Sequence, residues 1–267
     1  MKKIIFTISL CFLILALVSC SVPYRFSQDV SDPQEVSIEI VELDYVGDEY
    51  SGYYEPYSED KALVLMTVSD GEKADFLSDF KKVKSYEPFI GEKIFDISGI
   101  AIRITYSNGD VDLITDFGVG KLSDGEFQVS TTTFDDDQFN ALIEKYLSKD
   151  GSLTLDGAQI RYQNALLPLC ATIEKLGFEL MRDDDGNASF ICNDTEYLIS
   201  FENKTLTAKG SDENYLICPP GGTGFVCEEL DGELMVDEDT LRALFNTFLN
   251  YPVLVYVFDD NVFVIKR

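Results

Sequence analysis

The first twenty residues decide which part of this chain takes part in folding. Met1-Lys2-Lys3 is followed by an apolar-leaning run from Ile4 to Val18 and then by Ser19-Cys20. Two lysines, about fifteen apolar residues and a small residue have the layout of an export signal, which is removed from the mature protein. The run falls short of the roughly twenty residues that a comfortable bilayer span needs. Residues 1–19 are therefore expected to form a signal peptide outside the fold, and the remainder to work beyond the membrane.

The tetrapeptide Leu17-Val18-Ser19-Cys20 resembles the lipobox of bacterial lipoproteins. The resemblance implies cleavage before Cys20 and attachment of its thiol to a diacylglycerol, a palmitate-type anchor. Two acyl chains hold a protein stably, at about 0.8 kcal/mol per buried methylene. Residues 20–34 then read as a lipidated tether, since Ser21–Gln34 contains two prolines and few core-forming residues. A flexible stretch of this length spans about 20 Å on average.

Composition narrows the function classes. Formal charge is −27, and loss of Lys2 and Lys3 with the signal makes it −29. No Lys/Arg cluster is present to neutralise phosphates, so no nucleic-acid partner is expected. Simple attraction to anionic lipid or anionic wall polymer is disfavoured on the same ground. The chain has no histidine and no tryptophan. Ser-His-Asp and Cys-His nucleophiles, His-ligated zinc and histidine pH switches are thereby excluded.

Six cysteines are present. Cys11 leaves with the signal and Cys20 takes the lipid. Cys170, Cys192, Cys218 and Cys227 remain, and an exported chain permits disulfides among them. Cys218 and Cys227 flank Pro-Pro-Gly-Gly-Thr-Gly, so a bridge between them is a candidate, contributing about 2.7 kcal/mol by chain-entropy reasoning. Cys170 and Cys192 sit on apolar patterns and read as buried thiols.

The fold class expected is α+β, with two domains, each an antiparallel sheet packed with short helices. The first covers 35–148. Val36, Ile38 and Ile40 alternate with polar residues, and Val41, Leu43 and Tyr45 continue in the opposite phase, predicting a strand with a bulge near Val41. Ala62–Val68 is dense enough for a central strand. Ser69 or Asp70 caps a helix carrying Phe76, Leu77, Phe80 and Val83. Asn108-Gly109 predicts a two-residue hairpin that pairs Tyr106 with Val111, Ile104 with Leu113 and Arg103 with Ile114. A helix from near Thr133 carries Phe139, Leu142, Ile143, Tyr146 and Leu147.

The second domain, 152–267, repeats one pattern. Leu167-Pro168-Leu169 opens a short helix through Ile173 and Leu176, stopped by Gly177; Phe178–Met181 is a strand, Asp183–Asn187 a turn and Ala188–Cys192 a returning strand. Later, Gly232–Val236 leads into a helix with Leu241, Leu244, Phe245, Phe248 and Leu249, then strands Val253–Phe258 and Val262–Ile265 around Asp259-Asp260-Asn261. A strand pair around Tyr197–Phe201 and Thr205–Ala208 lies between. Leu166-Leu167-Pro168-Leu169, Glu174–Glu179 and Gly232–Val236 with Leu241 and Phe245 resemble the copper amine oxidase N-terminal-like "stalk" domain of exported Gram-positive proteins. Cys170 stands where that module usually has arginine, and the second half lacks its Pro-Leu-Arg and Leu-Gly signatures. The resemblance implies an accessory role without catalytic copper.

Candidate chemistry is concentrated in Tyr45–Asp60, where Tyr45, Tyr50, Tyr53, Tyr54 and Tyr57 are interleaved with acids. Flat rings and carboxylates suit a sugar or peptide; a long loop packed over the sheet is the simpler reading. Asp135–Asp137 fits the opening turn of a helix, and Asp183–Asp185 lacks the spacing of a calcium loop. The Ser-x-x-Lys matches at Ser58 and Ser78 have no Lys-Thr-Gly companion. No metal, cofactor or catalytic residue is assigned. The sequence thus describes a non-catalytic lipoprotein on the outer face of the membrane, binding or scaffolding an envelope protein or glycan. A carboxylate-based polysaccharide hydrolase, with two acids about 5–10 Å apart, is the alternative from the enzyme class. A regulator of a neighbouring exported protein is the third reading.

Overall fold

A computed structural model of the chain describes residues 23–47, 57–86, 96–149, 153–161, 164–183, 187–211, 214–217, 227–230, 232–258 and 261–267. The architecture is sheet-rich α+β with short helices, and the sheets are antiparallel. Contacts divide the chain into two compact units, Met1–Tyr146 and Leu147–Arg267. Among the described residues no helix is long and apolar enough to cross a membrane.

The first unit is built from β1 (Val36–Gly47), β2 (Ala62–Thr67), α1 (Lys73–Phe80), β3 (Ser85–Tyr86), β4 (Asp96–Tyr106), β5 (Val111–Ile114), β6 (Val119–Ser123), β7 (Glu126–Ser130), β8 (Thr133–Phe134) and α2 (Asp136–Leu147). Six strands form one sheet in the order β2-β1-β4-β5-β6-β7. Val36, Ile38 and Ile40 are buried on one face of β1, and Val41 and Leu43 on the other. The change of phase has the expected place but a different cause. Pairing of β1 with β4 runs unbroken from Val36 to Leu43, whereas the register to β2 slips between Ile40 and Val41 because Leu65 on β2 has no partner. The extra residue of the bulge is therefore on β2.

The dense run Ala62–Thr67 is an edge strand, not the central one its composition suggested. Leu63 and Val64 are exposed. Strand β1 is central instead, flanked by β2 and β4. On the face of Val41 and Leu43, a cluster with Ala101, Val111 and Leu113 is closed by Tyr57 and Phe127, whose rings stack at 6.1 Å. Phe127 lies so close over β6 that a Cβ at Gly120 would come within 2.5 Å of its ring.

The β4–β5 hairpin departs by one residue from the two-residue turn. Thr105 pairs with Val111, Ile104 with Asp112, Arg103 with Leu113 and Ile102 with Ile114. The turn spans Ser107–Gly109, with Gly109 at φ 91° and Tyr106 N–H donating to Asp110 O at 2.9 Å. This is the three-residue loop closed by a left-handed glycine. A one-residue slip exchanges the faces of a strand, and here it brings Asp112 to the inner face beside Ile104.

Helix α1 buries Phe76, Leu77 and Phe80 and starts after Glu72, past the caps expected at Ser69 or Asp70; Val83 falls beyond its end. Helix α2 buries Phe139, Leu142, Ile143, Tyr146 and Leu147. It begins at Asp136, because Thr133–Phe134 pairs with β3. Asp135 caps it, its Oδ1 accepting from Gln138 N at 3.1 Å. The helices meet where the Phe76 and Tyr146 rings lie 4.7 Å apart.

Asp79 adds a polar tie, accepting from Lys145 at 2.6 Å, Lys82 at 2.7 Å and Tyr146 Oη at 3.2 Å. The bonds from Lys145 and then Lys82 pull its carboxyl down to about 2, from 3.8. A carboxyl depressed on folding stabilises the fold above its unfolded value and ceases to do so as pH falls through the folded one. Acid titration followed by circular dichroism should show less loss of stability between pH 4 and pH 2 in Asp79→Asn than in the parent, and lower stability of that variant at pH 7. Equal stability at pH 7 would remove the tie from the account.

The second unit contains β9 (Gln159–Arg161), β10 (Asn164–Pro168), α3 (Leu169–Lys175), β11 (Met181–Arg182), β12 (Ala188–Cys192), β13 (Thr195–Ser200), β14 (Thr205–Ala208), β15 (Asn214–Leu216), β16 (Cys227–Leu230), β17 (Glu233–Asp237), α4 (Glu238–Arg242), β18 (Val253–Val257) and β19 (Val262–Lys266). The repeated unit is present as strand, helix, hairpin: β10-α3-β11-β12, then β17-α4-β18-β19. The two leading strands pair antiparallel, with Leu167 opposite Val236, and each helix touches both of them. One core therefore serves both halves, with Leu167, Ile173, Phe190, Val236, Leu241 and Phe245 in it.

Local chemistry sets the ends of these helices. Gly177, at φ 89°, stops α3, with Gly177 N–H to Glu174 O at 2.9 Å and Phe178 N–H to Ile173 O at 3.2 Å. That pair of bonds is the Schellman ending. Phe178 packs at 4.8 Å on Tyr251 in a loop, so β11 begins only at Met181. At the other end of α3, Glu233 of β17 accepts from Cys170 N at 2.9 Å and pairs with Arg182 at 3.2 Å. Helix α4 is capped by Asp237, and passes into a π-helical turn, Ala243–Phe248. Asn246 Oδ1 in that turn accepts from Val253 N at 2.7 Å, fixing where β18 starts.

Candidate ligand pocket beside the docked N-terminal segment

Residues from Pro23 onward lie on the sheet instead of forming a free tether. The sequence Tyr24-Arg25-Phe26 places two rings on the fold. Tyr24 sits 5.1 Å from Phe26 and 5.7 Å from Phe80, and Phe26 sits 5.6 Å from Phe80. Phe134 completes the cluster, 5.7 Å from both Phe80 and Tyr24. Val30 is buried, and Asp32 caps a short 3-10 turn at Pro33–Glu35 that leads into β1.

The polar counterpart of this cluster is Asp112, which is fully buried. Its Oδ2 accepts from Tyr24 Oη at 3.0 Å, Ser27 N at 2.9 Å and Tyr106 Oη at 2.7 Å, and its Oδ1 from Ser27 Oγ. Burial, followed by the charge of Asp112, raises the Tyr24 and Tyr106 phenols far above their ordinary range, so both stay protonated donors. Gln28 donates to Asp110 at 2.8 Å. Bonds from Asn108 and Gln28 hold the Asp110 carboxyl below its usual value.

Against the docked segment lies a cavity of about 300 Å³, lined by Pro23, Tyr24, Arg25, Ser85, Lys121, Gln128, Val129, Ser130 and Thr132. Lys121 Nζ donates to Arg25 O at 3.0 Å and stands 5.3 Å from the Tyr24 ring centre. Lys121, Gln128 and Ser130 share the sheet face of Asp112, because Asp112 pairs with Lys121 and Lys121 with Gln128. The Arg25 guanidinium is exposed and makes no ion pair among the described residues. Among the described residues, two cations, hydroxyls and an amide line the cavity, and no carboxylate does. In a chain with 48 acids and 21 bases this is a local inversion of charge.

The residues singled out from sequence fall elsewhere. Tyr45 is exposed on β1. Tyr57 is buried, and accepts from Arg103 Nη1 at 3.0 Å beside the Arg103–Glu39 ion pair at 2.7 Å. It belongs to the core of the first unit, as the simpler reading of a loop packed over the sheet implies. Tyr50, Tyr53 and Tyr54 lie outside the described residues, as do Cys20 and Cys218; Cys227 opens β16 opposite Val236. Cys170 and Cys192 are free buried thiols. Burial, with the Glu233 charge behind it, pushes Cys170 up to about 12.

Asp135 serves as the helix cap described above, and Asp183 Oδ1 accepts from Asn187 N at 2.8 Å. Among the described residues no group of three or more Cys, Asp or Glu is arranged to hold a metal ion. The pocket residues were not singled out from sequence. The available signals were the alternating Tyr24 and Phe26 and the aspartate inside Val111-Asp112-Leu113-Ile114. Comparison with protein-family models, with curated proteins and with solved structures returns no match.

Proposed function

We propose that this chain is a non-catalytic, lipid-anchored binding protein of the outer membrane face. One observation carries the reading: Pro23–Arg25, only three residues beyond Cys20, forms a wall of a cation-bearing pocket in an acidic chain. Three residues reach about 10 Å at most. A lipid on Cys20 would hold the mouth of such a pocket beside the headgroups, which suits capture of a ligand at the membrane and not transport through it. The carboxylates described in the first unit serve the fold: Asp112 receives donors, Asp79 ties helices and Glu39 pairs with Arg103.

The test has two parts. Metabolic labelling with radioactive palmitate should label the chain, and Cys20→Ala should abolish the label and release the protein from membranes. Crosslinking on intact cells should then return a bound envelope component with the parent and much less with Cys20→Ala. Turnover of wall polysaccharide or peptide by the purified protein, lost on a single Asp→Asn or Glu→Gln change, would replace the reading with the hydrolase.

A further inference from the structure

Resting on the binding role proposed above, we infer that the pocket takes a polyol phosphate, with Arg25 and Lys121 holding its phosphoryl group. Among the described residues the lining carries two cations and neutral donors and no carboxylate, which favours an oxyanion over a cation. Arg25 presents a planar fork that matches phosphate oxygens two at a time, and Lys121 adds a compact charge. Lys121 spends one of its three N–H donors on Arg25 O, which brings the two residues to one side of the cavity and leaves two donors for a ligand.

The remaining lining fits the other end of such a ligand. The Gln128 amide and the Ser130 and Thr132 hydroxyls are matched to alcohol groups, and the Tyr24 ring gives an apolar wall. A volume of about 300 Å³ lies at the small end of the range of ligand pockets. It has room for a ligand the size of one glycerol phosphate. The surrounding negative charge opposes accumulation of polyanions, so discrimination must come from contact inside the pocket.

Glycerol phosphate can be met free in solution or as the exposed end of phosphatidylglycerol. The experiment uses the full chain in neutral detergent. Titration calorimetry with sn-glycerol 3-phosphate should give saturable binding that weakens as salt rises, with none for glycerol. Arg25→Gln and Lys121→Gln should each weaken it at least tenfold. Gln128→Glu, which is nearly isosteric at an exposed position and leaves the docked segment untouched, should do the same by charge alone.

A flotation arm compares phosphatidylcholine vesicles with phosphatidylcholine/phosphatidylglycerol 4:1. Binding to the mixed vesicles that glycerol 3-phosphate competes away assigns the lipid headgroup; binding of the soluble compound alone assigns the free form. Absence of saturable binding in both arms, or binding unchanged in all three variants, overturns the inference. Neither result touches palmitate labelling or crosslinking, so the binding lipoprotein survives a failed phosphate ligand.

Discussion

Replacing Asp112 with alanine is expected to destabilise the first unit by about 4 kcal/mol. The carboxylate is buried and receives four donors, from Tyr24, Tyr106 and both the N–H and the hydroxyl of Ser27. Each buried donor left without an acceptor costs about 1–3 kcal/mol. The chain can limit that cost by releasing Pro23–Gln28 into water, but release gives up the packing of Tyr24 and Phe26. A loss of this size in a unit of about 120 residues lowers the melting temperature by about 10–20 °C. Asp112→Asn keeps the shape but replaces an acceptor with a donor, so it should lie between the parent and the alanine variant. Trypsin supplies a local readout, since faster cleavage after Arg25 in Asp112→Ala reports the freed segment. A variant as stable and as resistant as the parent would mean that Asp112 holds nothing in place.

The second large effect is expected at Phe80, where α1 meets the same segment. Its fully buried ring lies within 6 Å of Tyr24, Phe26 and Phe134. Truncation of a core phenylalanine to alanine costs about 3–5 kcal/mol through lost burial and the remaining cavity. Tyr24 connects this site to Asp112, so the two substitutions should not be additive: once one has released the segment, the other has less to break. A double-mutant cycle should give a coupling of about 1–2 kcal/mol in the compensating direction. Strict additivity would mean that the aromatic cluster and the buried carboxylate hold the segment separately.

Much of the secondary structure was legible because one-sided burial leaves a period in the sequence. Val36, Ile38 and Ile40 showed the strand, Phe139 to Leu147 the helix, and the repeated helix-hairpin pattern the construction of the second unit. Two errors have separate physical causes. The run Ala62–Thr67 looked central because apolar density does not say how many neighbours a strand has; β1, with polar residues interleaved, lies deeper. At Asn108-Gly109 the residue types fitted a two-residue turn, but the chain places Gly109 as the left-handed third residue, and every side chain on β5 changes face.

That single step hid the site. With a two-residue turn, Asp112 faces away from Tyr106 and Ile104 and nothing draws Tyr24 toward it. With the observed register it becomes a buried acceptor that needs donors, and Tyr24, Ser27 and Tyr106 supply them. The cavity follows from this docking, since Arg25 comes beside Lys121 only when its neighbours are held. No local spacing rule relates positions 25 and 121, which meet through a tertiary contact. Tyr57 follows the simpler reading of its segment: its company of acids suggests a ligand loop, but its ring closes a core cluster over the sheet.

A protein held to a bilayer by one end receives force at that end. If the lipid sits on Cys20, a drag on the body of the protein is met first by Tyr24 and Ser27 on Asp112, before it reaches the first strand. The buried aspartate is then a mechanical fastener that keeps small tugs from peeling β1 out of the sheet. The Arg25 wall lies on the same load path, so strong pulling would open the pocket before it unfolded the domain. Tension on the anchor and occupancy of the pocket would in that way oppose one another.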